Sequence, residues 1–281
     1  AKTVAVFQVE SSGMMDALKR MKPNCIEDIV ALVALYRPGP MENIPKYCEV
    51  KNGISARELL HPSVDHILDE TQGIIVYQEQ VMEIARQMAG YSLGGADLLR
   101  RAMGKKIQEA MDEEKPKFLT GSAANDVDEK TAKATWDLLD KFANYGFNKS
   151  HAAAYAVVSY QTAWLKANHP VEFMAGVMNC DLHLTDKLAV YFNEVRKGLD
   201  LPYTPPCVNR SQARFDVVDG VLVYGLGALK NVGVDAMRLV AEGRGEKPFS
   251  TLFDLARRVD LKRIGKRPLE MLARSGSFDQ L

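Results

Sequence analysis

A run of cations around position 100 carries the residues best suited to binding phosphate. The segment GGADLLRRAMGKK contains Arg100, Arg101, Lys105 and Lys106 but a single carboxylate, that of Asp97. Arginine presents a rigid fork to phosphate oxygens, and lysine presents a mobile point charge. The spacing G-x-x-x-x-G-K-[ST] of a P-loop is absent, so the segment would bind phosphate in another way. A solvated helix face is the alternative interpretation of the same charges.

A second candidate site lies in the segment YGFNKSHAAAYA, at the start of a predicted long helix. Ser150 can cap this helix. Lys149, Ser150 and His151 crowd its N-terminus, where free N–H groups and partial positive charge favour an anion. Tyr155 follows His151 by four residues and therefore lies on the same face. A capped, alanine-rich core helix is the alternative. Arg37, in the rigid turn RPGP, suits a fixed charge in a cleft and suits a plain loop equally.

The C-terminal part of the chain has its own basic segment, ARRVDLKRIGKRP. Its cations are Arg257, Arg258, Lys262, Arg263, Lys266 and Arg267. Because the whole chain is neutral, with 36 basic and 36 acidic residues, this segment is the best candidate for a surface that follows a nucleic-acid backbone. A solvated charge run is the alternative.

The segment LKNVGVDAMRLVAEG has the outline of the second half of a helix-hairpin-helix unit. The turn of such a unit offers backbone N–H groups to DNA phosphates. The usual turn has two glycines around one apolar residue. Here Gly233 is the second glycine and Asn231 stands in place of the first, so the segment predicts the motif only weakly.

These segments must be positioned mainly by helices, because apolar residues recur with helical spacing along much of the chain. A strand is expected from Val4 to Val9, followed by a helix that Ser11 or Ser12 caps. Further helices are predicted at 26–36, 74–88, 96–103, 106–119, 129–144, 149–167, 171–180 and 185–197. The nearly apolar helix at 149–167 is expected to be buried. Alternating apolar residues around Asp219-Gly220 predict a β-hairpin near 214–224.

Composition excludes several classes of protein. Hydrophobic residues make up 47% and charged residues 26%, as in a folded globular chain. No run of about 18 apolar residues occurs, so no membrane span is expected. The four cysteines form no CxxC pair, which argues against a zinc ribbon and for a reducing compartment. Asp126 and Asp128 form a D-x-D pair, but a helix follows them, so they are expected to cap it rather than bind a metal.

Six longer segments together strongly resemble one family. They are FQVESSGM, ALVALYRPGP, GIIVYQEQ, GYSLGGADLLRRAMGKK, YGFNKSHAAAYAVVSYQTAWLKANHP and VYGLGALKNVG. The family is the alpha subunit of bacterial DNA polymerase III, a C-family replicative DNA polymerase, and the resemblance runs through the whole chain. It implies a mainly α fold in two parts. Residues 1–199 would be a multi-helix fingers region, and residues 200–281 a connector, a small β-hairpin and short helices leading toward a helix-hairpin-helix domain.

The resemblance implies a part of a DNA-directed DNA polymerase that binds an incoming dNTP and primer-template DNA. The residues expected near the triphosphate are Arg37, Arg100, Arg101, Lys105, Lys106 and Lys149. Those expected near the new base pair are Asn148, Ser150, His151 and Tyr155. Those expected to bind DNA are Gly233, Arg258, Lys262, Arg263 and Lys266. No catalytic or metal-binding residue is expected in this chain, because the family's palm carboxylates lie in another domain.

Cofactor and partners follow from the same resemblance. Mg²⁺ is expected to bind mainly outside this chain in the full-length enzyme, and the isolated chain is expected to be inactive. Other replicase subunits, including the sliding clamp, are expected to bind regions outside the chain. A cytoplasmic location without a membrane partner is implied. The alternative function, which local basic segments would serve equally well, is a non-catalytic DNA-binding or scaffold module.

Overall fold

The computed structural model describes residues 1–105, 108–143 and 145–281, apart from the side chains of Lys105, Gln108, Ala110 and Ala143. Over these residues the chain forms fourteen α-helices and three short β-strands, so the predicted mainly α fold is confirmed. The chain divides into two compact units. Unit one comprises residues 7–161 with residue 1, and unit two comprises residues 162–281 with residues 2–6. The division at 199/200 stays a prediction.

Unit one contains helices α1 to α7 and the first part of α8. Their bounds are Ser12–Met21 (α1), Ile26–Leu35 (α2), Ile44–Lys51 (α3), Gln78–Ala89 (α4), Leu93–Lys105 (α5), Gln108–Ala124 (α6), Glu129–Ala143 (α7) and Lys149–Asn168 (α8). Side-chain caps predicted from the sequence begin α1 and α7. The Met14 N–H donates to Ser11 at the start of α1, and the Thr131 N–H donates to Asp128 at the start of α7, as predicted.

The core of unit one lies between α4, α5, α6 and α7. Leu99, Phe118 and Leu139 are fully buried there. A Cβ atom at Gly121 would stand 2.0 Å from the carbonyl oxygen of Ala89, so a glycine at this position lets α6 approach α4 closely. This packing supports α4 and α5, which supply part of the candidate site.

Asp28 ties α2 to α3. Its buried carboxylate accepts hydrogen bonds from the Tyr47 hydroxyl and the Asn24 N–H, both at 3.0 Å, and lies 2.8 Å from the Lys51 ammonium. Burial alone would raise the pKa of Asp28, but these hydrogen bonds, that from Lys51 first, hold the pKa below its ordinary value. The network fixes α2, which leads directly into Arg37.

Unit two contains the end of α8, six further helices and a small sheet. The helices are Pro170–Cys180 (α9), Thr185–Asn193 (α10), Val234–Arg244 (α11), Leu252–Arg258 (α12), Leu261–Ile264 (α13) and Lys266–Arg274 (α14). Its apolar core includes Met237 of α11 together with Val208, Leu226 and Leu272 from the segments on both sides of that helix. A second cluster packs α9 and α10 against the sheet.

The sheet of unit two has the strand order β1-β3-β2. The strands are Tyr203–Thr204 (β1), Asp216–Val218 (β2) and Val221–Val223 (β3). β2 and β3 are antiparallel, and Asp219 and Gly220 between them both have positive φ, as a two-residue hairpin turn requires. The predicted hairpin is therefore confirmed. The parallel pairing of β1 with β3 was not predicted, because a two-residue strand leaves no alternation to detect.

The N-terminal segment does not form the predicted strand from Val4 to Val9. Ala5 and Gln8 have left-handed φ values of 64° and 65°, so the chain makes tight turns there. Val6 and Val9 are buried with two exposed residues, Phe7 and Gln8, between them, so burial does not alternate here as it does in a strand. The strand prediction was wrong because the apolar residues of this segment fit turns as well as an extended backbone.

Helix α8 exists as predicted but is not the buried helix that its composition suggested. Tyr160 is 51% exposed and Trp164 47%, and Val157 and Val158 are exposed as well. The prediction of burial was wrong because an apolar composition only permits a helix to be buried. Burial also needs another part of the fold to pack against that helix. Among the described residues, no helix is long and apolar enough to cross a membrane.

Candidate functional site

The entry into α8 is fixed by main-chain pairing with the start of α4. The Phe147 N–H donates to the Val76 carbonyl (3.1 Å), and the Gln78 N–H donates to the Phe147 carbonyl (2.9 Å). The Gln78 side-chain amide also donates to the Gly146 carbonyl at 3.1 Å. We call residues 76–80 and 145–151 the α4–α8 junction. Because backbone bonds define it, side chains that leave residues 147–151 start from fixed positions.

The segment GIIVYQEQ supplies one half of this junction. The Gln80 side-chain oxygen accepts hydrogen bonds from the N–H groups of Val76 and Tyr77, at 2.8 and 3.0 Å, and so closes the start of α4. The polar residues of this segment therefore begin and cap a helix.

A carboxylate from α4 occupies the N-terminus of α8. Glu79 accepts hydrogen bonds from the Lys149 N–H (3.0 and 3.1 Å to its two oxygens) and from the Asn148 side-chain amide (3.0 Å). Asn148 is itself the cap, because its side-chain oxygen accepts from the His151 N–H at 2.8 Å. Ser150 lies in the first turn, so the expectation that it caps the helix is wrong. The predicted affinity of this helix end for an anion is met within the chain by Glu79.

Two cations converge on the same junction. Both Glu70 carboxylate oxygens lie 2.7 Å from the Lys149 ammonium, which also lies over the Tyr77 ring. Arg37 donates to the Ala34 carbonyl at 2.9 Å and to the Tyr145 carbonyl, and its guanidinium lies 4.6 Å from the centre of the Phe147 ring. Burial lowers the pKa of Arg37 from an ordinary value so high that the side chain stays charged at neutral pH.

The basic segment of α5 is joined to the junction through Arg100. One Arg100 nitrogen donates to the Gln78 side-chain oxygen at 3.3 Å, and another lies 2.7 Å from Asp97. Arg101 is paired with the same carboxylate at 2.8 Å. Hydrogen bonds from Arg100 lower the pKa of Asp97, so Asp97 stays charged at neutral pH. Two more predicted nucleotide-binding residues, Lys106 and the side chain of Lys105, lie outside the described residues.

Four rings form a continuous row along one side of α8. The centre of the His151 ring lies 5.5 Å from that of Phe147 and 4.5 Å from that of Tyr155. The Tyr155 ring in turn lies 5.5 Å from the ring of Phe7. We call Phe147, His151, Tyr155 and Phe7 the aromatic row. His151 and Tyr155 lie on one face, as predicted, whereas the sequence did not single out Phe147 or Phe7.

The junction thus assembles most of the nucleotide-binding residues predicted in unit one. Arg37, Lys149, Asn148, Ser150 and His151 lie in it or contact it, and Arg100 reaches it through Gln78. Their carboxylate partners Glu70 and Glu79 were not predicted as site residues. The segment GIIVYQEQ contains Glu79, but no spacing rule connects it to a helix 70 residues further along the chain.

The carboxylates of the site do not form a metal-binding set. Glu70, Glu79 and Asp97 each bind a cation or helix N–H groups of this chain. Within the described ranges, no group of three or more His, Cys, Asp or Glu could hold a metal ion. The donor set around the junction therefore does not fit Mg²⁺, and no step can be derived through that ion from these residues.

In unit two, the turn before α11 adopts the backbone of a glycine-containing hairpin despite its asparagine. Asn231 has a left-handed φ of 63°, and Gly233 begins α11 with φ −93°. Asparagine tolerates this conformation better than most residues, which explains how it replaces the first glycine. Asn231 also lines a shallow depression whose basic members are Lys266, Arg267 and Arg274 of α14. The turn and the basic segment thus meet.

The predicted DNA-binding residues of this region differ in exposure. Lys262 and Arg263 are exposed, and their N–H groups donate to Asp260, which caps α13. The Lys266 side chain is 91% exposed. Arg258 instead points inward, with its guanidinium 4.7 Å from the centre of the Phe249 ring. It is a structural residue of unit two rather than part of an open surface.

Comparison with known families supports the resemblance. Residues 1–126 match the bacterial DNA polymerase III alpha subunit finger domain, and residues 200–281 match the helix-hairpin-helix motif. The whole chain is 52% identical to DNA polymerase III subunit alpha of Caulobacter vibrioides, 50% to that of Pseudomonas aeruginosa and 47% to that of Escherichia coli. It covers 24%, 25% and 25% of these proteins, respectively. The chain therefore spans about a quarter of the length of the curated relatives it matches.

Proposed function

We propose that this chain is the part of a replicative DNA polymerase that receives the incoming dNTP and contacts primer-template DNA. The observation that carries the proposal is the convergence of Arg37, Lys149, Arg100 and the aromatic row on the α4–α8 junction. The similarity of the whole chain to DNA polymerase III subunit alpha supports it independently. Because the chain spans only a quarter of those relatives, the activity belongs to a longer polypeptide.

The junction suits a triphosphate because its cations are held in place before a ligand arrives. Arg37 is fixed by two carbonyls and a ring, and Lys149 by Glu70. Phosphoryl transfer depends mainly on positioning and charge stabilisation, so groups that need no reorganisation contribute most. A triphosphate would compete with Glu79 for the Asn148 amide and the Lys149 N–H.

The aromatic row suits a nucleobase. Any nucleobase can stack on an aromatic ring, because every base has a π-face, and each such contact contributes about 1–3 kcal/mol. His151 is exposed and Tyr155 half-buried, one helical turn apart. We assign these two rings to the new base pair and the nearby cations to the triphosphate.

The metal chemistry belongs to another part of the polymerase in this proposal. Mg²⁺ supplies charge neutralisation on the phosphates when it is bound, and the carboxylates near the junction are engaged with cations and N–H groups of this chain. The isolated 281-residue chain should therefore not extend a primer in the presence of Mg²⁺. Extension that disappears on changing Asp126 and Asp128 to Asn would overturn this assignment.

Unit two supplies the DNA contact in this proposal. The Val232 N–H of the turn donates to the Leu229 carbonyl, so the N–H groups of Asn231 and Gly233 would meet a phosphate, and α14 adds exposed cations beside them. The match of residues 200–281 to the helix-hairpin-helix motif supports the same surface. Its contribution would be ionic and insensitive to DNA sequence.

The test of the nucleotide site compares rings on two sides of α8. Single-nucleotide incorporation is measured with a full-length polymerase that carries this segment, with His151→Ala, Tyr155→Ala and, as the matched control, Tyr160→Ala, which removes an exposed ring outside the row. The first two changes should lower kcat/KM for dNTP by about 5- to 150-fold, the loss of one stacking contact. Primer-template affinity should change little.

The control separates this site from the second candidate function, a non-catalytic DNA-binding or scaffold module. The pairing of the junction cations with Glu70, Glu79 and Asp97 is the observation that favours the scaffold module. Such pairs would stabilise a contact between helices even if no nucleotide binds there. If all three ring variants incorporate nucleotides as the parent does, the junction is a scaffold and the nucleotide proposal fails.

A further inference from the structure

We propose that Phe7 is a positioning residue that holds the Tyr155 ring in the orientation needed to meet a nucleobase. This inference rests on the proposed nucleotide site and extends it to a residue outside the basic and helix-start segments. Phe7 comes from the N-terminal turns, far in sequence from Tyr155, and its side chain is 38% exposed. The two ring centres are 5.5 Å apart, with the planes inclined by 37°.

A hydrogen bond fixes the backbone of Phe7 against α8. The buried Ser159 hydroxyl donates to the Phe7 carbonyl at 2.9 Å and lies 3.1 Å from the Tyr155 carbonyl one turn earlier in the helix. Ser159 therefore sets the position of Phe7 relative to the turn that carries Tyr155. The contact between the Phe7 and Tyr155 rings therefore depends on this backbone hydrogen bond, and not only on the rotamer of the Phe7 side chain.

The backbone around Phe7 is held in a costly conformation. Ala5 and Gln8 both have left-handed φ, which side chains with a Cβ disfavour. Such residues persist only where surrounding contacts enforce them, and they concentrate at functional positions. Here the turns place an aromatic side chain at the protein surface while both neighbouring valines, Val6 and Val9, stay buried. A single exposed apolar ring is normal at a protein surface. An exposed ring between two residues with left-handed φ is not, and it points to a role for the ring.

Phe7 closes the end of the aromatic row opposite Arg37. Arg37 lies over Phe147 at one end, and Phe7 contacts Tyr155 at the other. Tyr155 is thereby held between His151 and Phe7, so a base that stacks on it meets a ring that is already oriented. Removing Phe7 leaves Tyr155 free to turn on that side, and part of the binding free energy is then lost in ordering it.

The experiment uses a full-length polymerase that carries this segment and four variants. Phe7→Ala removes the ring, Phe7→Leu keeps apolar bulk, and Phe7→Tyr keeps the ring. Ile54→Ala is the matched control, because it removes another exposed apolar side chain of unit one away from the row. KM for dNTP, kcat, primer-template affinity and Tm are measured for each.

The proposal predicts a rise in KM for dNTP of about 2- to 10-fold in Phe7→Ala, the size of one aromatic pair, with kcat nearly unchanged. Phe7→Leu should show most of this rise, whereas Phe7→Tyr and Ile54→Ala should match the parent. Because Phe7 acts through Tyr155, adding Phe7→Ala to Tyr155→Ala should raise KM no further.

Four outcomes would overturn the proposal. KM in Phe7→Ala equal to that of the parent, or full rescue by leucine, would show that the ring does not position Tyr155. A fall in Tm with kcat and KM affected together would assign Phe7 to folding alone. If Tyr155→Ala affects KM and Phe7→Ala does not, the nucleotide site survives without Phe7. If Tyr155→Ala itself leaves KM unchanged, the nucleotide site and this inference fail together.

Discussion

The cations at the α4–α8 junction and those on α13 and α14 are organised in opposite ways. At the α4–α8 junction every described cation has a fixed partner, such as Glu70 for Lys149 or the Tyr145 carbonyl for Arg37. On α13 and α14 of unit two, Lys262, Arg263 and Lys266 extend from short helices with exposed side chains, and Lys266 makes a long ion pair, 3.8 Å to Glu270. The two regions have similar residue types but differ in how much each charge can move.

Under the proposed function, this difference corresponds to two kinds of ligand. Fixed cations in a partly buried setting suit a ligand of defined shape, because little ordering is left to complete on binding. Exposed cations suit a long polyanion that is held mainly by release of its counterions. Arg258 differs from these exposed cations, as does Arg244, which is buried and donates to the Val208 and Ser211 carbonyls. Arg258 offers the sharpest way to test the comparison, because the exposed Arg257 precedes it.

The largest expected effect is on stability, in Arg258→Ala. The Arg258 guanidinium donates to the Gly243 and Lys247 carbonyls, at 3.2 and 2.7 Å, and lies over the Phe249 ring. Its removal should lower the free energy of unfolding by about 3 kcal/mol, because more than one charge-assisted hydrogen bond to a main-chain carbonyl is lost. Urea unfolding of the 281-residue chain measures it.

The neighbouring residue provides the control. Arg257 is exposed, so Arg257→Ala should change stability by no more than about 0.5 kcal/mol. Equal losses in both variants would mean that the inward and outward arginines of unit two do not differ, and the comparison would fail there.

The next effect concerns the fixed cations of unit one. Arg101→Ala should lower kcat/KM for dNTP by about 10- to 150-fold in the full-length polymerase, because one charge-assisted hydrogen bond to the triphosphate is lost. Lys133→Ala is matched to it, since Lys133 is also paired with an acidic residue four positions earlier, Glu129 on α7. Steady-state incorporation separates the two. Similar kinetics in both variants would remove Arg101 from the site.

The smallest expected effect is on the salt dependence of DNA binding by the exposed cations of α13 and α14. Replacing Lys262, Arg263 and Lys266 with Ala should flatten the plot of log affinity for duplex DNA against log salt by about 0.9 for each lost phosphate contact. A triple replacement of Lys117, Lys130 and Lys133, exposed lysines of unit one, makes the same change in net charge. Equal flattening in the two triple variants would show that net charge, not this surface, sets the slope.

Helix positions were predictable because capping residues and apolar spacing are local. Ser11 and Asp128 begin α1 and α7 as expected, and Asp219-Gly220 forms the predicted hairpin turn. The burial of α8 was not predictable, because burial depends on which surfaces the rest of the fold brings against a helix. The strand expected from Val4 to Val9 failed for a related reason, since the same apolar residues are buried by turns at Ala5 and Gln8 rather than by an extended backbone.

The site was predictable in its cations and rings but not in its partners. Charge and helix-end arguments selected Lys149 and His151 directly. Glu70 and Glu79 could not be selected, because their roles arise from contacts between α4 and α8 that only the tertiary fold creates. Asn231 lies between these cases. Asparagine commonly takes the left-handed conformation, so the weak hairpin motif could have been ranked higher.

The separation of the two halves of the α4–α8 junction governs when it can form during synthesis. Glu79 and Lys149 are 70 residues apart, and α5, α6 and α7 lie between them. Closing a loop of that length costs about 4 kcal/mol of chain entropy, and helices that fold early inside it shorten the loop that remains. At about 5–20 residues per second, a ribosome needs roughly 4–14 seconds to pass from one half to the other. Glu79 therefore cannot bind the N-terminus of α8 until α5, α6 and α7 have been synthesised.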